Sequence, residues 1–120
     1  MTTSPALRRR ARRIPLVAVF AIALLGGAAC TPQQQIASVF GPQAGEAERI
    51  AHCESTMNTG AVSPTNDHGL FQINAVHERK FVEVTGQPWH MVYDGFWNTV
   101  YAKYLYDTQG WQPWSCRYAA

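Results

Sequence analysis

The chain lacks the motifs of metal-dependent and nucleotide-dependent enzymes. Neither a glycine-rich phosphate-binding loop nor the Gly-x-Ser-x-Gly motif of serine hydrolases occurs in its 120 residues. The His-Glu-x-x-His motif of zinc peptidases is also missing, and the four histidines show no metal-ligand spacing: His52, His68, His77 and His90. We therefore expect neither a metal nor a cofactor.

The chain also has no apolar run of comfortable membrane-spanning length, which is about 20 residues. Its most apolar run covers residues 14–25, between five arginines on one side and small residues ending at Cys30 on the other. This order of basic, apolar and small residues is typical of an export signal. We predict that residues 1–30 are the signal peptide of an exported protein; an uncleaved N-terminal anchor is the alternative.

The chain has no excess of basic residues outside this predicted signal peptide. The whole chain has a net charge of +2, but five of its ten basic residues lie in the leader. From residue 31 onward, five basic residues stand against eight acidic ones, which gives a net charge of −3. A mildly acidic chain has no basic footprint for nucleic acid, so we expect no nucleic-acid partner.

Cysteine is scarce, and the three present leave one without a partner. The stretch ending at Cys30 resembles a bacterial lipobox, with Ala28 and Ala29 in place and Gly27 where leucine is commoner. That resemblance implies a lipid on Cys30 and attachment to the membrane through it. Ordinary cleavage near Ala28, which would leave Cys30 a free thiol, is the alternative.

We pair the other two cysteines, Cys53 and Cys116, in a disulfide, because an exported chain meets an oxidising compartment. The bond would close a loop of about 60 residues, worth on the order of 4 kcal/mol in the chain-entropy model. A domain this small has a marginal core, so the bond matters for folding. Two unpaired, buried thiols are the alternative.

The remaining chain divides into a polar stretch and a domain. Residues 31–45 are rich in glutamine, proline and glycine, and we predict a flexible linker there. Within it, Ile36, Val39 and Phe40 could instead form a short turn that packs on the domain. The domain itself is predicted over residues 46–118.

Helical periodicity begins at Glu46. Ala47, Ile50, Ala51 and Glu54 fall at i, i+3, i+4 and i+7, which places them on one face of a helix. A carboxyl group on a core-facing stripe is partly desolvated, and this favours the protonated form that a general acid needs. A partly exposed glutamate at a helix end is the alternative.

Caps and turns predict the rest of the fold. Asn74 is placed to cap a second helix that Gly86 stops, and Asp94 to cap a third that Gly110 ends. The turn residues between 59 and 70 predict a loop or a small hairpin. We therefore predict a mainly α, small domain with a loop or minor β-hairpin insertion and one disulfide.

Several short motifs follow one another in a recognisable order. Glu54-Ser55 is followed by Asn58, by Ala61-Val62-Ser63-Pro64 and by Gly69-Leu70-Phe71-Gln72. This order and spacing resembles the soluble lytic transglycosylase family of the lysozyme superfamily, with Phe71 where methionine is usual. The run from residue 98 to 114 is similar to the closing helix and tail of small actinobacterial lysozyme-like proteins. The resemblance covers about residues 47–116 and implies a lysozyme-like domain that cleaves peptidoglycan.

The resemblance also implies roles for single residues. Glu54 matches the catalytic acid, Ser55 the residue that helps orient it, and Gln72 a residue lining the saccharide cleft. A further family motif, which supplies a tyrosine to the catalytic site, has no clean counterpart. Tyr101 and Tyr104 are its candidates, and we include Tyr101 among the substrate-binding residues; core packing is the alternative for both.

The stretch from Asp67 to Asn74 also resembles the Asp-Tyr-Gly-x-x-Gln-Ile-Asn segment of animal-type lysozymes. In those enzymes the aspartate is the second carboxylate, which implies a catalytic role for Asp67. The amides of Gln72 and Asn74 are expected to hold the sugar. A turn-forming aspartate is the alternative for Asp67, and we expect His68 to lie on an exposed loop.

Two reactions and one binding role follow from these residues. In a lytic transglycosylase, Glu54 acts as acid and base on the β-1,4 bond between N-acetylmuramic acid and N-acetylglucosamine, and no water is used. In a hydrolytic lysozyme, Asp67 assists and water completes the reaction. A non-catalytic wall-binding module is the third alternative. Peptidoglycan strands are the partner in each case, and the sequence names no protein partner.

Overall fold

The computed structural model describes residues 29–120. Residues 1–28, which hold nearly all of the predicted signal peptide, lie outside the described residues, so that segment stays a prediction. Cys30 is exposed and carries a free thiol, and its lipidation likewise stays a prediction. Within residues 29–120, no helix has both the length and the apolar character needed to cross a bilayer.

Helices make up most of the described chain. There are four α-helices: α1 at Pro32–Phe40, α2 at Ala44–Ser55, α3 at Glu78–Thr85 and α4 at Gly95–Gln109. Two strands of two residues each, β1 at Asp67–His68 and β2 at Ile73–Asn74, pair antiparallel. Short 3-10 helices complete the chain: Gly41–Gln43, Ala75–His77, Trp89–Tyr93 and Arg117–Ala119. The predicted mainly α fold with a minor hairpin is confirmed.

The prediction of a flexible linker over residues 31–45 is wrong. Thr31 and Gln34 form a capping box, in which Thr31 Oγ1 accepts from the Gln34 N–H and Gln34 Oε1 accepts from the Thr31 N–H. The helix that follows, α1, buries Ile36 and Phe40 completely against α2 and α4. The domain therefore begins at this capping residue, about fifteen residues earlier than predicted.

The other predicted helices are present. Ala47, Ile50 and Ala51 are fully buried, which confirms the core-facing stripe of α2. Asp94 caps α4 by accepting the N–H groups of its first turn at 3.0 and 3.1 Å, and Gly110 follows its last residue. These caps satisfy backbone groups that a helix end otherwise leaves unpaired.

The predicted disulfide is also confirmed. Cys53, near the end of α2, is bonded to Cys116 in the C-terminal tail, and their Cα atoms lie 6.0 Å apart. Trp114, two residues before Cys116, is buried, and its ring N–H donates to the Phe71 carbonyl at 2.9 Å. The tail is thereby attached to both α2 and the turn between the two strands of the hairpin.

Candidate active site

A cleft lies where the end of α2, the hairpin and the C-terminal tail meet. Its larger part is a cavity of about 150 Å³, lined by Glu54, Asp67, Gln72, Pro113, Trp114 and Ser115. A second cavity of about 70 Å³ shares four of these residues and adds four others: Ile73, Asn74, His77 and Leu105. We call the two cavities together the cleft. It brings together four residues singled out in the sequence: Glu54, Asp67, Gln72 and Asn74.

Glu54 is half-buried at the end of α2 and is held by the tail. Its Oε1 atom accepts from the backbone N–H of Cys116 at 3.0 Å and from the Ser115 hydroxyl at 3.2 Å. Its other carboxyl oxygen, Oε2, has no hydrogen-bond partner within residues 29–120. One oxygen is therefore fixed, and the other is available to a ligand.

Ser55 acts on the position of the helix rather than on the Glu54 carboxyl group. Its hydroxyl lies 2.7 Å from the Leu70 carbonyl oxygen and 3.1 Å from that of Ala51, and it can donate to either. The contact with Leu70 joins the end of α2 to the loop that carries Gln72. The hydroxyl group is engaged in this internal contact, so a direct contact with substrate stays a prediction.

Gln72 is held in an uncommon backbone conformation, with φ at +51°. Its side-chain amide Nε2 donates to the carbonyl oxygens of Gly69 at 3.0 Å and Ala61 at 3.2 Å. Its side-chain oxygen has no hydrogen-bond partner in the described part of the chain. Gln72 therefore lines the cleft with an anchored amide whose oxygen is available to a ligand, and its predicted contact with a sugar stays a prediction.

Asp67 is surrounded by side-chain donors. Its Oδ2 atom accepts from the hydroxyls of Ser63, at 2.6 Å, and Thr65, while Oδ1 accepts from the Asn74 amide at 2.9 Å. Burial by itself raises the pKa of this carboxyl group, but these three hydrogen bonds and the neighbouring His68 outweigh it and lower the pKa below its ordinary value. Asp67 is therefore an ionised carboxylate at neutral pH.

Asn74 uses all of its side-chain atoms within the protein. Its amide nitrogen donates to Asp67 Oδ1 and to the Thr65 carbonyl, both at 2.9 Å. Its amide oxygen accepts the Val76 N–H at 3.0 Å and caps the following 3-10 helix. Asn74 lines the smaller cavity, but its amide holds the hairpin in shape, and its predicted contact with the sugar stays a prediction.

Tyr101 does not reach the cleft surface. Its side chain is fully buried in the core, in contact with Phe81 and Tyr104, and its hydroxyl lies 2.9 Å from His77 Nδ1. Burial, reinforced by nearby Tyr104 and Glu83, raises its pKa to about 12. A side chain without exposed surface cannot contact a sugar, so the prediction that Tyr101 binds substrate is corrected to its alternative, core packing.

His68 is also buried, against the expectation of an exposed loop residue. Its Nδ1 lies 2.6 Å from the Tyr93 hydroxyl and its Nε2 2.7 Å from the Asn66 side-chain oxygen. Trp89 packs edge-on against the ring. His68 therefore fastens the hairpin to the 3-10 helix Trp89–Tyr93.

One positioning residue was missed by the sequence reasoning. Asn98, on α4, is fully buried; its amide donates to the carbonyls of His68 and Val92, and its oxygen accepts the Phe71 N–H. Gly69 lies against it with φ at +76°, and an added Cβ would come within 2.4 Å of the Asn98 amide. A polar residue amid the apolar positions of α4 was the available signal.

No group of three or more His, Cys, Asp or Glu side chains that could hold a metal ion is present within residues 29–120. The polar side chains of the larger cavity are two carboxyl groups, one amide and one hydroxyl, besides the ring N–H of Trp114 that is bonded internally. The smaller cavity adds the Asn74 amide and the His77 imidazole. This is the kind of donor and acceptor set that binds hydroxylated ligands and moves protons.

Comparison with protein families identifies this arrangement. The sequence profile described as Transglycosylase SLT domain matches residues 33–111, about two thirds of the chain. No curated protein and no solved structure matches the chain. The match begins inside α1, in agreement with the domain start seen in the structure, and runs through the hairpin and α4. The chain belongs to the transglycosylase SLT family.

Proposed function

We propose that this member of the SLT family is a lytic transglycosylase that cleaves the β-1,4 bond between N-acetylmuramic acid and N-acetylglucosamine in peptidoglycan. Family membership supports the reaction class and the substrate. The observation that carries the assignment of the acid is the asymmetric hydrogen bonding of Glu54, whose Oε1 is held by two donors while Oε2 has no partner among the described residues.

This asymmetry suits a general acid. A carboxyl group whose Oε1 accepts hydrogen bonds can carry its proton on Oε2, in a fixed direction. In the proposed reaction, Oε2–H protonates the glycosidic oxygen as the bond from that oxygen to C1 of muramic acid breaks. The sugar left behind has oxocarbenium character, and the leaving strand departs as an alcohol.

The second half of the reaction returns the proton. The ionised Glu54 takes a proton from the 6-hydroxyl of the muramoyl residue, and the 6-oxygen attacks C1 to close a 1,6-anhydro ring. Glu54 ends protonated, as it began, and no water is consumed. In this scheme Gln72 binds the sugar through its side-chain oxygen, and Ser55 keeps the end of α2 against the loop.

Hydrolysis is the second proposal, and the position of Asp67 favours it. Asp67 lines the same cavity as Glu54, and its hydrogen bonds keep it ionised, as the second carboxylate of a lysozyme must be. Its two oxygens already accept three side-chain hydrogen bonds, however, and this weakens it as a nucleophile. We therefore rank hydrolysis below transglycosylation.

Product analysis separates these possibilities. The protein, purified with its disulfide intact, is incubated with peptidoglycan, and the released fragments are analysed by mass spectrometry. Ends of 1,6-anhydromuramic acid support transglycosylation, whereas reducing muramic acid ends indicate hydrolysis with Asp67. No release from a folded sample would overturn both reactions and favour a wall-binding module.

The proposal also covers where in the cell the protein acts. An enzyme of peptidoglycan acts outside the cytoplasm, which fits the predicted export signal. We propose that Cys30 carries a lipid; because α1 begins at Pro32, the domain would then lie close to the membrane surface. Metabolic labelling with a fatty acid, with and without Cys30→Ser, tests this: loss of label in the variant supports the anchor, and an unlabelled parent protein contradicts it.

A further inference from the structure

We propose that His77 contacts the substrate, and that its Nε2–H, held in place by Tyr101, donates a hydrogen bond to an acceptor oxygen of the glycan in the cleft. This inference rests on the proposed function, since it assumes that the cleft binds a glycan. His77 was not among the site residues expected from the sequence. The 3-10 helix Ala75–His77, capped by Asn74, carries it into the wall of the smaller cavity.

His77 is positioned beside groups already assigned to the cleft. It is half-buried and lines the same cavity as Asp67, Gln72 and Trp114. Its Nδ1 atom is occupied by the Tyr101 hydroxyl at 2.9 Å. Its Nε2 atom has no hydrogen-bond partner in the part of the chain that the structure describes. A half-buried ring that lines a cavity and has one nitrogen without a partner in these residues is available to a ligand.

Tyr101 determines which nitrogen of His77 carries the proton. The Tyr101 side chain is fully buried, and His77 Nδ1 is the partner of its hydroxyl among residues 29–120. A buried hydroxyl proton needs an acceptor, because leaving it unpaired has a large desolvation cost. The hydroxyl therefore donates to Nδ1. In a neutral imidazole the proton is then on Nε2.

The neutral form of the ring is favoured by its surroundings. Burial lowers the pKa of His77 below its ordinary value, and the raised pKa of Tyr101, about 12, keeps the phenol protonated. His77 thus offers a neutral N–H donor next to a cluster in which Asp67 and Gln72 present acceptor oxygens. Ring hydroxyls and N-acetyl carbonyls of a glycan both provide the acceptor oxygen that such a donor binds.

Binding of N-acetylglucosamine tetrasaccharide, measured by titration calorimetry, tests the contact without requiring turnover. His77→Phe keeps an aromatic ring but removes the donor, and we expect its affinity to fall about five- to tenfold, the usual effect of one hydrogen bond. His77→Gln, which can place an N–H near the position of Nε2, should recover most of the affinity. His90→Phe, at an exposed histidine outside the cleft lining, is the matched control and should bind like the parent.

The fully deacetylated tetrasaccharide distinguishes the two acceptors. If an N-acetyl carbonyl is the acceptor, His77→Phe should lose affinity for the acetylated ligand alone. If a ring hydroxyl is the acceptor, both ligands should weaken in the variant. Equal affinities of His77→Phe and the parent protein for both ligands would overturn the proposal.

A second measurement can overturn the proposal on the parent protein alone and so covers the case in which the variants fail to fold. Long-range ¹⁵N–¹H NMR spectra of the parent protein distinguish a protonated Nε2 from a protonated Nδ1. We expect Nε2–H for His77 in the parent protein and a mixture of tautomers in Tyr101→Phe; Nδ1–H in the parent protein would overturn the proposal.

The outcome for His77 is separable from that of the proposed reaction. If the protein releases no fragments but binding still depends on His77, the contact stands and the enzymatic proposal fails. If fragments are released and binding is unchanged in a folded His77→Phe, the reaction stands and this contact is excluded.

Discussion

Two carboxylates face the cleft, and the protein holds them in opposite ways. The donors to Glu54 come from Ser115 and Cys116, which lie 61 and 62 positions further along the chain. The side-chain donors to Asp67 all lie within seven positions of it, in the hairpin and in the turn that precedes it. Glu54 therefore depends on the tertiary structure and on the disulfide, whereas Asp67 depends on the local turn.

The two arrangements also leave different chemistry available. Both oxygens of Asp67 accept hydrogen bonds, and its pKa is lowered, so it remains an anion. Glu54 has one oxygen held and one without a partner in the described residues, so it can carry and release a proton. The contrast supports the proposed role of Glu54 in proton transfer and favours a structural and electrostatic role for Asp67.

The largest effect is expected from the removal of the proposed acid. Glu54→Gln preserves shape and hydrogen-bonding capacity but cannot transfer a proton, so fragment release should fall about a thousandfold or more. The control is Glu48→Gln on the same helix, which lies outside the cleft lining and should be fully active. Near-parent activity in Glu54→Gln would remove Glu54 from the mechanism.

The next-largest effect is expected from removal of the disulfide, which fixes the C-terminal tail beside Glu54. Cys116→Ser opens the bond to Cys53, and the free energy of unfolding should fall by about 4 kcal/mol because the unfolded chain gains conformational freedom. Activity should fall at temperatures where the folded variant still predominates, since the Cys116 N–H is no longer fixed beside Glu54. Denaturant unfolding and fragment release measure the two effects.

Cys30→Ser is the matched control for this loss, because it replaces an exposed cysteine that takes no part in the disulfide. It should unfold like the parent protein. A Cys116→Ser variant that is as stable and as active as Cys30→Ser would show that the tail keeps its place without the disulfide.

A smaller effect, with a defined pH dependence, is expected for Asp67→Asn. The asparagine amide cannot accept hydrogen bonds as both carboxylate oxygens do, so stability at pH 7 should fall by about 1–2 kcal/mol. Because folding lowers the pKa of Asp67, its contribution is complete above the ordinary value near 3.8 and is lost as the pH falls through the folded value. The stability difference between variant and parent should therefore shrink below about pH 4.

The activity of the same variant decides between the two reactions. Transglycosylation requires only Glu54, so Asp67→Asn should retain most of its activity once stability is allowed for. A loss of several orders of magnitude would instead support hydrolysis with Asp67 as the second carboxylate. Thr108→Ala removes a side-chain hydroxyl at the end of α4, outside the cleft lining, and is a control with a small change in stability and no change in activity.

The features that depend on near neighbours in the chain could be predicted from the sequence. Caps and turn residues act on their near neighbours, so Asp94 and Gly110 indicated the bounds of α4. The turn-rich stretch before Leu70 contains the first strand of the hairpin, whose second strand lies beyond it. The position of Glu54 at the end of α2 was predicted from the apolar stripe before it, and its role as the acid, implied by the family resemblance, stays a proposal. The disulfide followed from cysteine count and compartment.

The contacts between residues that are distant in sequence could not be predicted from the sequence. Residues 31–45 have the composition of a flexible linker, because α1 buries only a narrow apolar stripe. Phe40 is held by aromatic rings that are distant in sequence: its ring centroid lies 5.7 Å from that of Phe71 and 5.6 Å from that of Trp111. Tyr101 looks like a site residue until packing buries it. No local pattern could predict a hydrogen bond from Ser115 to Glu54.

That hydrogen bond is the basis of the last and smallest prediction. Ser115→Ala removes one of two donors to Glu54 Oε1, while the Cys116 N–H remains, so turnover should fall only about three- to tenfold. Ser115 is exposed, so the free energy of unfolding should stay within about 0.5 kcal/mol of the parent value. Ser115→Thr retains the hydroxyl and should restore turnover. Equal turnover in Ser115→Ala and the parent protein would mean that the backbone N–H alone orients the acid, and the hold on Glu54 would then depend on the disulfide-bonded backbone rather than on the serine hydroxyl.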